Sequence, residues 1–452
     1  MIMKKRFLLI ALIICIIAAG LLVVEKGKNR EIKEKTLAEL SLEELYNSAE
    51  TKLKENKVEA EKIFYFIISN YEKFGVSAKE EMYAKTQEEK IVLNSFRQFD
   101  EIFHKLNQSE REEILALFPE GDESIGYRGF VWSPRLFESF LVAKLAGANI
   151  VEIKIDYLVT PNYDFIPAGE DCKPIELKKQ REWIAEKIKE AHNYNLSVHL
   201  LPFMRVADWA FNVREPPFER IPKEKRDLFL KKLGNLSISL AEFAQENNVE
   251  IFTPMVEPHQ WVGWQKSSQW HQEILPKLRK VYQGKLMITY QNFLDLIGRE
   301  IQEKEIREDE KYWREFNYSG YDFVGPNMNA NHVNDWKTLK TIVNETMDYT
   351  EKLADEYNLS IIYVEIFTEI GVDGLFAGYE GREEEAKLRY LKLILDELMK
   401  RNPARAGILF YEWGFGREYR MYSKADEKGI YRPVMRYQTE KPYNLIKTYF
   451  LK

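Results

Sequence analysis

The chain has 452 residues, of which 45% are hydrophobic and 31% charged, with a net charge of −6. This balance excludes a disordered chain and leaves length for two or three domains. The charge is spread without a basic block, which argues against nucleic acid as a partner. The two cysteines, Cys15 and Cys172, form no Cys/His cluster, so neither a disulfide scaffold nor a zinc site is expected.

At the N-terminus Lys4, Lys5 and Arg6 precede an uncharged run, Phe7–Val24. A terminal run of that length, apolar all round, reads as a transmembrane anchor or a signal segment. Leu12, Ile13 and Ile14 before Cys15 fit a lipoprotein site poorly, whereas Ala18, Ala19 and Gly20 would permit ordinary cleavage. Either way the positive flank stays cytoplasmic. The body is then expected outside the cytoplasm, as a single-pass membrane protein or a secreted one. Residues 1–30 are thus anchor and spacer.

Residues 31–118 read as a helical segment. Apolar residues recur at three- and four-residue spacing in 37–56, 59–75 and 78–118. Ser41, with Glu44 at the third helical position, forms a capping-box signal, and Gly75 marks a helix end. Nothing in this stretch carries chemistry.

Residues 119–452 alternate β-rich runs with amphipathic helices. The strand candidates are Gly129–Trp132, Asn149–Asp156, Ser197–Phe203, Glu250–Val256, Leu286–Tyr290, Asp322–Pro326, Ser360–Phe367 and Ala406–Tyr411. Eight such units predict an α/β fold, a closed (β/α)8 TIM barrel, with an open doubly wound sheet as the alternative. No glycine-rich phosphate loop follows the first strand, which disfavours a dinucleotide site.

In a barrel of this kind, functional groups gather at the C-terminal strand ends. Trp132, Asp156, Tyr157, Arg205, Glu257, His259, Asn292, Asn327, Asn329, Glu365, Glu369, Glu412 and Trp413 all map there. The set is acidic, amide-rich and aromatic, which suits a neutral polyhydroxylated ligand. No His/Asp pair has ligand-like spacing on one element, so no metal is expected, and no organic cofactor is implied.

Three carboxyls carry the chemistry. Glu257 lies just past an apolar run and before Pro258, with Trp261 and Trp264 nearby to shield it as a general acid requires. On the seventh strand Glu365 and Glu369 are four residues apart. The distance from the preceding YNLS favours Glu365 at the mouth, while the Gly371 of FTEIG favours Glu369. Two carboxyls on separate strands are what glycoside hydrolysis needs. Asp156, Arg205, His259, Asn292 and Asn329 would contact hydroxyls, and Trp132, Trp261 and Trp413 would offer stacking faces. His199, inside the third strand, reads as a core histidine.

Four fragments in order, LAGANIVEIKI (145–155), YQGKLMITYQNF (282–293), YDFVGPNMN (321–329) and FTEIG (367–371), resemble clan A retaining glycoside hydrolases, most nearly the β-mannanase-like glycoside hydrolase family 113. The resemblance covers about residues 126–415. It implies an acid/base Glu after strand four, Glu257, and a nucleophile after strand seven, Glu369 by motif and Glu365 by strand geometry. Clan A enzymes commonly place Asn before the acid/base, where this chain has Val256, though some family members also lack that Asn. The expectation is a retaining hydrolase of a β-linked polysaccharide or oligosaccharide, mannan-like sugars included. The alternative is a non-catalytic carbohydrate-binding or envelope protein on a degenerate barrel.

Overall fold

The computed structural model describes residues 37–76, 84–131, 139–169, 173–207, 213–214, 221–290, 310–328, 335–366, 383–401, 405–410, 418–422, 433–438 and 440–451. The chain divides into two compact units, Met1–Ile114 and Leu115–Lys452. The apolar run Phe7–Val24 lies outside the described residues. Among the described residues no helix is long and apolar enough to cross a membrane.

The first unit contains helices Leu42–Leu53, Lys57–Asn70, Gln87–Phe103 and Gln108–Leu115. Ser41 opens the first with the expected capping box: its Oγ accepts from the Glu44 amide, and the Glu44 carboxylate accepts from the Ser41 amide. Gly75 closes the turn after the second helix in a left-handed conformation (φ 70°), which costs glycine nothing. Leu45, Phe64, Ile67, Val92, Phe96 and Phe99 form the unit's core.

Glu61 sits in that core, fully buried, with neither carboxylate oxygen hydrogen-bonded. Burial, and secondarily the nearby negative charge of Asp100, push its carboxyl well above the ordinary 4.5. The protonated form is the one the fold favours. Its contribution is complete below about pH 4.5 and is lost as pH rises through the raised value. Replacing Glu61 by Leu should therefore stabilise helices Lys57–Asn70 and Gln87–Phe103 at pH 8 by about 1–3 kcal/mol. Hydrogen exchange on the full chain, corrected for intrinsic rates, would measure this. Wild type should lose protection between pH 5 and pH 8, and the variant should not.

The second unit is a barrel. Its strands are β1 (Tyr127–Val131), β2 (Ile150–Val159), β3 (Phe165–Pro167), β4 (Ser197–Ala207), β5 (Val213–Arg214), β6 (Ile251–Phe252), β7 (Lys285–Tyr290), β8 (Phe323–Pro326), β9 (Ser360–Ile366) and β10 (Ala406–Phe410). A separate antiparallel pair, β11 (Glu418–Tyr422) and β12 (Pro433–Gln438), follows. The sheet order β2-β1-β10-β9-β8-β7-β6-β4 closes through the β2–β4 pairing, and all eight of these strands run parallel. The open-sheet alternative is thereby excluded. Helices such as Leu177–Asn193, Arg226–Glu246, Trp264–Val281, Trp336–Tyr357 and Glu383–Met399 connect the strands.

Three strands depart from the sequence expectation. β2 and β4 run on to Val159 and Ala207 because they pair with each other from Ile150↔Ser197 to Val159↔Val206. The ladder continues beyond the barrel, where the short antiparallel β3 and β5 border it. The fourth barrel strand, β6, is regular only at Ile251–Phe252. Pro254 has no amide to donate, and the segment rejoins the sheet through the single Val256–Thr289 bridge. In the charged stretch 299–315 only a short 3-10 turn, Glu310–Glu315, is described.

Side chains staple the N-terminal face. Glu250 accepts from the Val198 amide (2.7 Å), Asp322 from the Leu286 amide (2.8 Å), and Asn149 from the Arg128 amide (2.8 Å). Each satisfies a strand-start donor that the ladder leaves over.

Above this face Ile150, Ile251, Met287, Phe323, Ile362, Val364 and Leu409 form one apolar cluster. Gly129 is needed where β1 meets β2, since an added Cβ would lie 2.1 Å from the Ile150 carbonyl oxygen. At Gly325 the nearest obstacle is the Met287 Cε, a flexible side-chain end. Gly129→Ala should accordingly cost about 1–3 kcal/mol in urea denaturation and exceed the cost of Gly325→Ala.

Candidate active site at the barrel mouth

Two residues beyond the apolar cluster, the lumen changes character. Ile150 gives way to Glu152, Ile251 to Thr253, and Met287 to Thr289, because successive inward residues on a strand are two apart. Glu152, paired across the β2–β4 ladder with His199, is fully buried, as is His199. His199 Nδ1 lies 3.1 Å from Glu152 Oε2, and His199 Nε2 lies 2.8 Å from Thr253 Oγ1. Lys154 Nζ stands 3.8 Å from the other Glu152 oxygen. The reading of His199 as a core histidine agrees with this placement.

Glu257 crowns the fourth strand. Its φ of 56° and ψ of 47° put a non-glycine residue in the left-handed region. Among the described residues, three of the other four positive-φ non-glycines are Asn195, Asn248 and Asn358, each just past a helix end. Asparagine tolerates that conformation, whereas a glutamate adopts it against its own preference. Pro258 follows at the first position of the short helix Pro258–Val262, where its fixed φ suits helix initiation. The Gln260 amide donates to the Glu257 carbonyl (3.0 Å), and Gly263, at φ 84°, turns the chain into Trp264–Val281. Glu257 is 3% exposed.

A cavity of about 10 Å³ lies beneath it, bordered by Glu152, Leu201, Val256, Glu257, Thr289, Asn327 and Val364. That is room for roughly one water molecule. Thr289 Oγ1, buried on the wall, has no hydrogen-bond partner.

The other sequence candidates fall in several places. Asp156 and Arg205 sit within the extended β2–β4 ladder rather than at strand ends. They pair at 3.0 Å (Nε to Oδ1), each about a quarter exposed, and the guanidinium lies 4.7 Å over the Phe203 ring. Trp261 is 3% exposed and stacked on Phe229 at 5.4 Å. His259 is buried and stacked on the equally buried Trp264 at 3.9 Å. Both residues therefore pack the corner that holds Glu257, and Trp261 presents no open face for a sugar. Tyr157 is buried, and burial pushes its hydroxyl up to about 12. Asn327 reaches the sheet through a bridge to Val364.

Glu365 belongs to β9, the seventh barrel strand. There the register with β10 slips: Ile408 pairs with Tyr363 but Phe410 with Ile366, so β9 carries one extra residue across Val364–Glu365. Trp132, Asn292, Asn329, Glu369, Glu412 and Trp413 lie outside the described residues.

Among the described residues no group of three His, Cys, Asp or Glu side chains could hold a metal. A further buried pair, His271 Nδ1 and the Tyr321 hydroxyl at 2.5 Å, ties helix Trp264–Val281 to the segment just before β8. Burial pulls His271 down to about 3, so it stays neutral and structural at ordinary pH.

Sequence reasoning passed over Glu152, Lys154 and Thr289. The signal was in VEIKID, where Glu152, Lys154 and Asp156 alternate with Val151, Ile153 and Ile155. In a closed barrel whose helices cover the apolar face, that polar face is the lumen.

No family model matches the sequence, and no curated protein matches it. Among solved structures, a GH113 β-1,4-mannanase is 15% identical with a TM-score of 0.46, over 72% of this chain and 98% of that one. The GH113 β-mannanase from Alicyclobacillus acidocaldarius is 12% identical (TM-score 0.43, 74% and 97% covered). A family 5 xyloglucanase from Paenibacillus pabuli is 11% identical (TM-score 0.45, 72% and 98% covered). Likenesses of this degree assign neither family nor activity; the barrel rests on the strand pairings given above.

The backbone at Glu257 generates a prediction. Glu257→Asn relieves the left-handed strain, so it should unfold in urea no earlier than wild type and at up to about 1 kcal/mol higher stability. A clear loss of stability would mean that the glutamate is there for packing.

Proposed function

We propose that the chain is a retaining glycoside hydrolase acting on a β-linked polysaccharide or oligosaccharide. The observation that carries this reading is Glu257: a buried carboxyl, in strained backbone, at the C-terminal end of the fourth strand of a closed barrel. Strain of this kind persists where function selects it, and that barrel end is where active sites form. The bulge at Val364–Glu365 marks the strand that would supply the second carboxyl.

In this mechanism Glu257 gives its proton to the glycosidic oxygen as the bond to the anomeric carbon breaks. A seventh-strand glutamate, Glu365 or Glu369, attacks that carbon and forms a glycosyl ester. Glu257, now a base, takes a proton from water, which displaces the ester and regenerates both groups. Retention requires the two carboxyls about 5–5.5 Å apart.

A second reading, a non-catalytic glycan-binding barrel, is favoured by Val256 before Glu257 and by the small size of the cavity beneath it. The membrane segment belongs to the proposal as well: Lys4–Arg6 and Phe7–Val24 would anchor the body outside the cytoplasm or direct its secretion.

The deciding experiment offers reduced β-mannan, β-glucan and β-galactan oligosaccharides to wild type and to Glu257→Gln, Glu365→Gln and Glu369→Gln. Glu257→Gln and one of the other two should lower kcat at least a hundredfold, and the third should not. Binding of a glycan with no turnover by wild type would favour the second reading.

A further inference from the structure

The β2–β4 ladder outruns the barrel it closes. Glu152 and Leu201 border the cavity beneath Glu257. Among the described residues, β1 pairs with β2 only as far as Glu152, and β6 with β4 only as far as Leu200. The two strands nevertheless continue together to Val159 and Val206. Further out β3 joins the free edge of β2, and β5 that of β4, so a four-stranded sheet, β3-β2-β4-β5, extends past the barrel rim. Asp156 lies four residues beyond Glu152 on β2, a rise of about 13 Å.

Helices buttress this sheet. Gln180 Nε2, on Leu177–Asn193, donates to the carbonyls of Asp156 (2.8 Å) and Ala168 (2.9 Å). Phe229, on Arg226–Glu246, packs against Tyr163 at 6.0 Å and Phe165 at 5.7 Å. One face of the sheet continues the lumen, because residues two apart share a face: Glu152, Lys154 and Asp156 on β2, with Leu201, Phe203 and Arg205 on β4. Phe203 is half-buried. Lys154 Nζ stands 5.0 Å from its ring centroid and the Arg205 guanidinium 4.7 Å, and Asp156 Oδ1 accepts from Arg205 Nε at 3.0 Å. These contacts fix the ring and the guanidinium in place, yet Asp156 and Arg205 each stay 23% exposed.

We propose that this wall is a subsite for a sugar unit remote from the cleaved bond, with Phe203 and the Asp156–Arg205 pair as its specificity-determining residues. A pre-fixed aromatic ring beside a fixed donor and acceptor is suited to a pyranose, whose C–H face packs on the ring while its hydroxyls bond the guanidinium and the carboxylate. The foot of the wall is the cavity beneath Glu257, and the pair lies well above it. Only a chain of several sugar units reaches both, so the substrate class is an extended β-linked glycan rather than a disaccharide. The inference rests on the hydrolase reading for the place of the cleaved bond at Glu257; the wall itself follows from the strand pairing alone.

The test compares wild type with Phe203→Leu and Arg205→Lys in the full chain, with thermal unfolding as a check on folding. Leucine keeps the apolar bulk and removes the aromatic face; lysine keeps the charge and removes the planar fork. The substrates are the disaccharide-to-hexasaccharide series of β-mannan, β-glucan and β-galactan. The readout is the ratio of kcat/KM on the hexasaccharide to that on the shortest member cleaved. Wild type should favour the hexasaccharide, and in each variant the ratio should fall about tenfold. If either variant does not fold, Asp156→Asn, which leaves the backbone carbonyl to Gln180, serves the same comparison. A ratio unchanged in either variant overturns the subsite and leaves hydrolysis standing. Where wild type cleaves nothing, calorimetric binding of the same sugars decides. Hexasaccharide binding that weakens in both variants upholds the wall and overturns hydrolysis, and no wild-type preference for the hexasaccharide overturns the wall.

Discussion

Closure of the barrel through β2 and β4 is the constraint on which the rest of the second unit depends. Ten register pairs join these strands, from Ile150↔Ser197 to Val159↔Val206, whereas β6 contributes only a two-residue strand and one bridge. The rigid side of the ring is therefore β2–β4, and the loosely paired side is β6. Backbone polar groups released from regular pairing at Pro254–Val256 find partners individually, as in the Ser237 Oγ bond to the Pro254 carbonyl at 2.8 Å. A strand freed in this way can turn sharply at its end. That freedom is what allows Glu257 its left-handed backbone, so the weakest strand and the candidate acid coincide for one reason.

Closure also decides what the lumen can hold. An apolar lower level of Ile150, Ile251, Met287, Phe323 and Leu409 excludes water from below. A charge above that floor must be balanced locally, because isolated burial costs far more than any single contact returns. The Glu152–Lys154–His199–Thr253 array meets the requirement with partners on three strands or their ends. Gly325 lies beside Thr289 in the next strand and adds no side chain, and the Met287 Cε fills the room this leaves.

Much of this was legible in the sequence. Strand–helix alternation identified the barrel, and the apolar run before Glu257 placed that residue at the mouth. Ser41, Glu44 and Gly75 marked helix ends correctly because capping is local chemistry. What the sequence could not convey came from pairing. Nothing in SVHLLPFMRVA says that β4 continues to Ala207; its ten-residue partner does. Trp261 reads equally well as a sugar platform or a packed indole, and only the position of Phe229, 32 residues earlier, decides for packing. The bulge on β9 is likewise a property of two strands, since one chain segment has no register by itself.

Two buried glutamates show how far residue type alone falls short. Glu61 and Glu152 are both fully buried, and both keep carboxylate oxygens without a hydrogen bond. Glu61 lies on a helix of the first unit, with Asp100 as its electrostatic neighbour, and burial drives it towards the neutral acid. Glu152 lies on a strand between a lysine and a histidine. A neutral acid in a helical core is an energetic liability that an apolar residue would remove. A carboxyl with a lysine and a histidine within 4 Å is instead a polar element that those neighbours hold in place at the wall of the cavity. The difference lies in which neighbours the fold supplies: a second carboxyl near a helical core for Glu61, a lysine and a histidine on a strand ladder for Glu152.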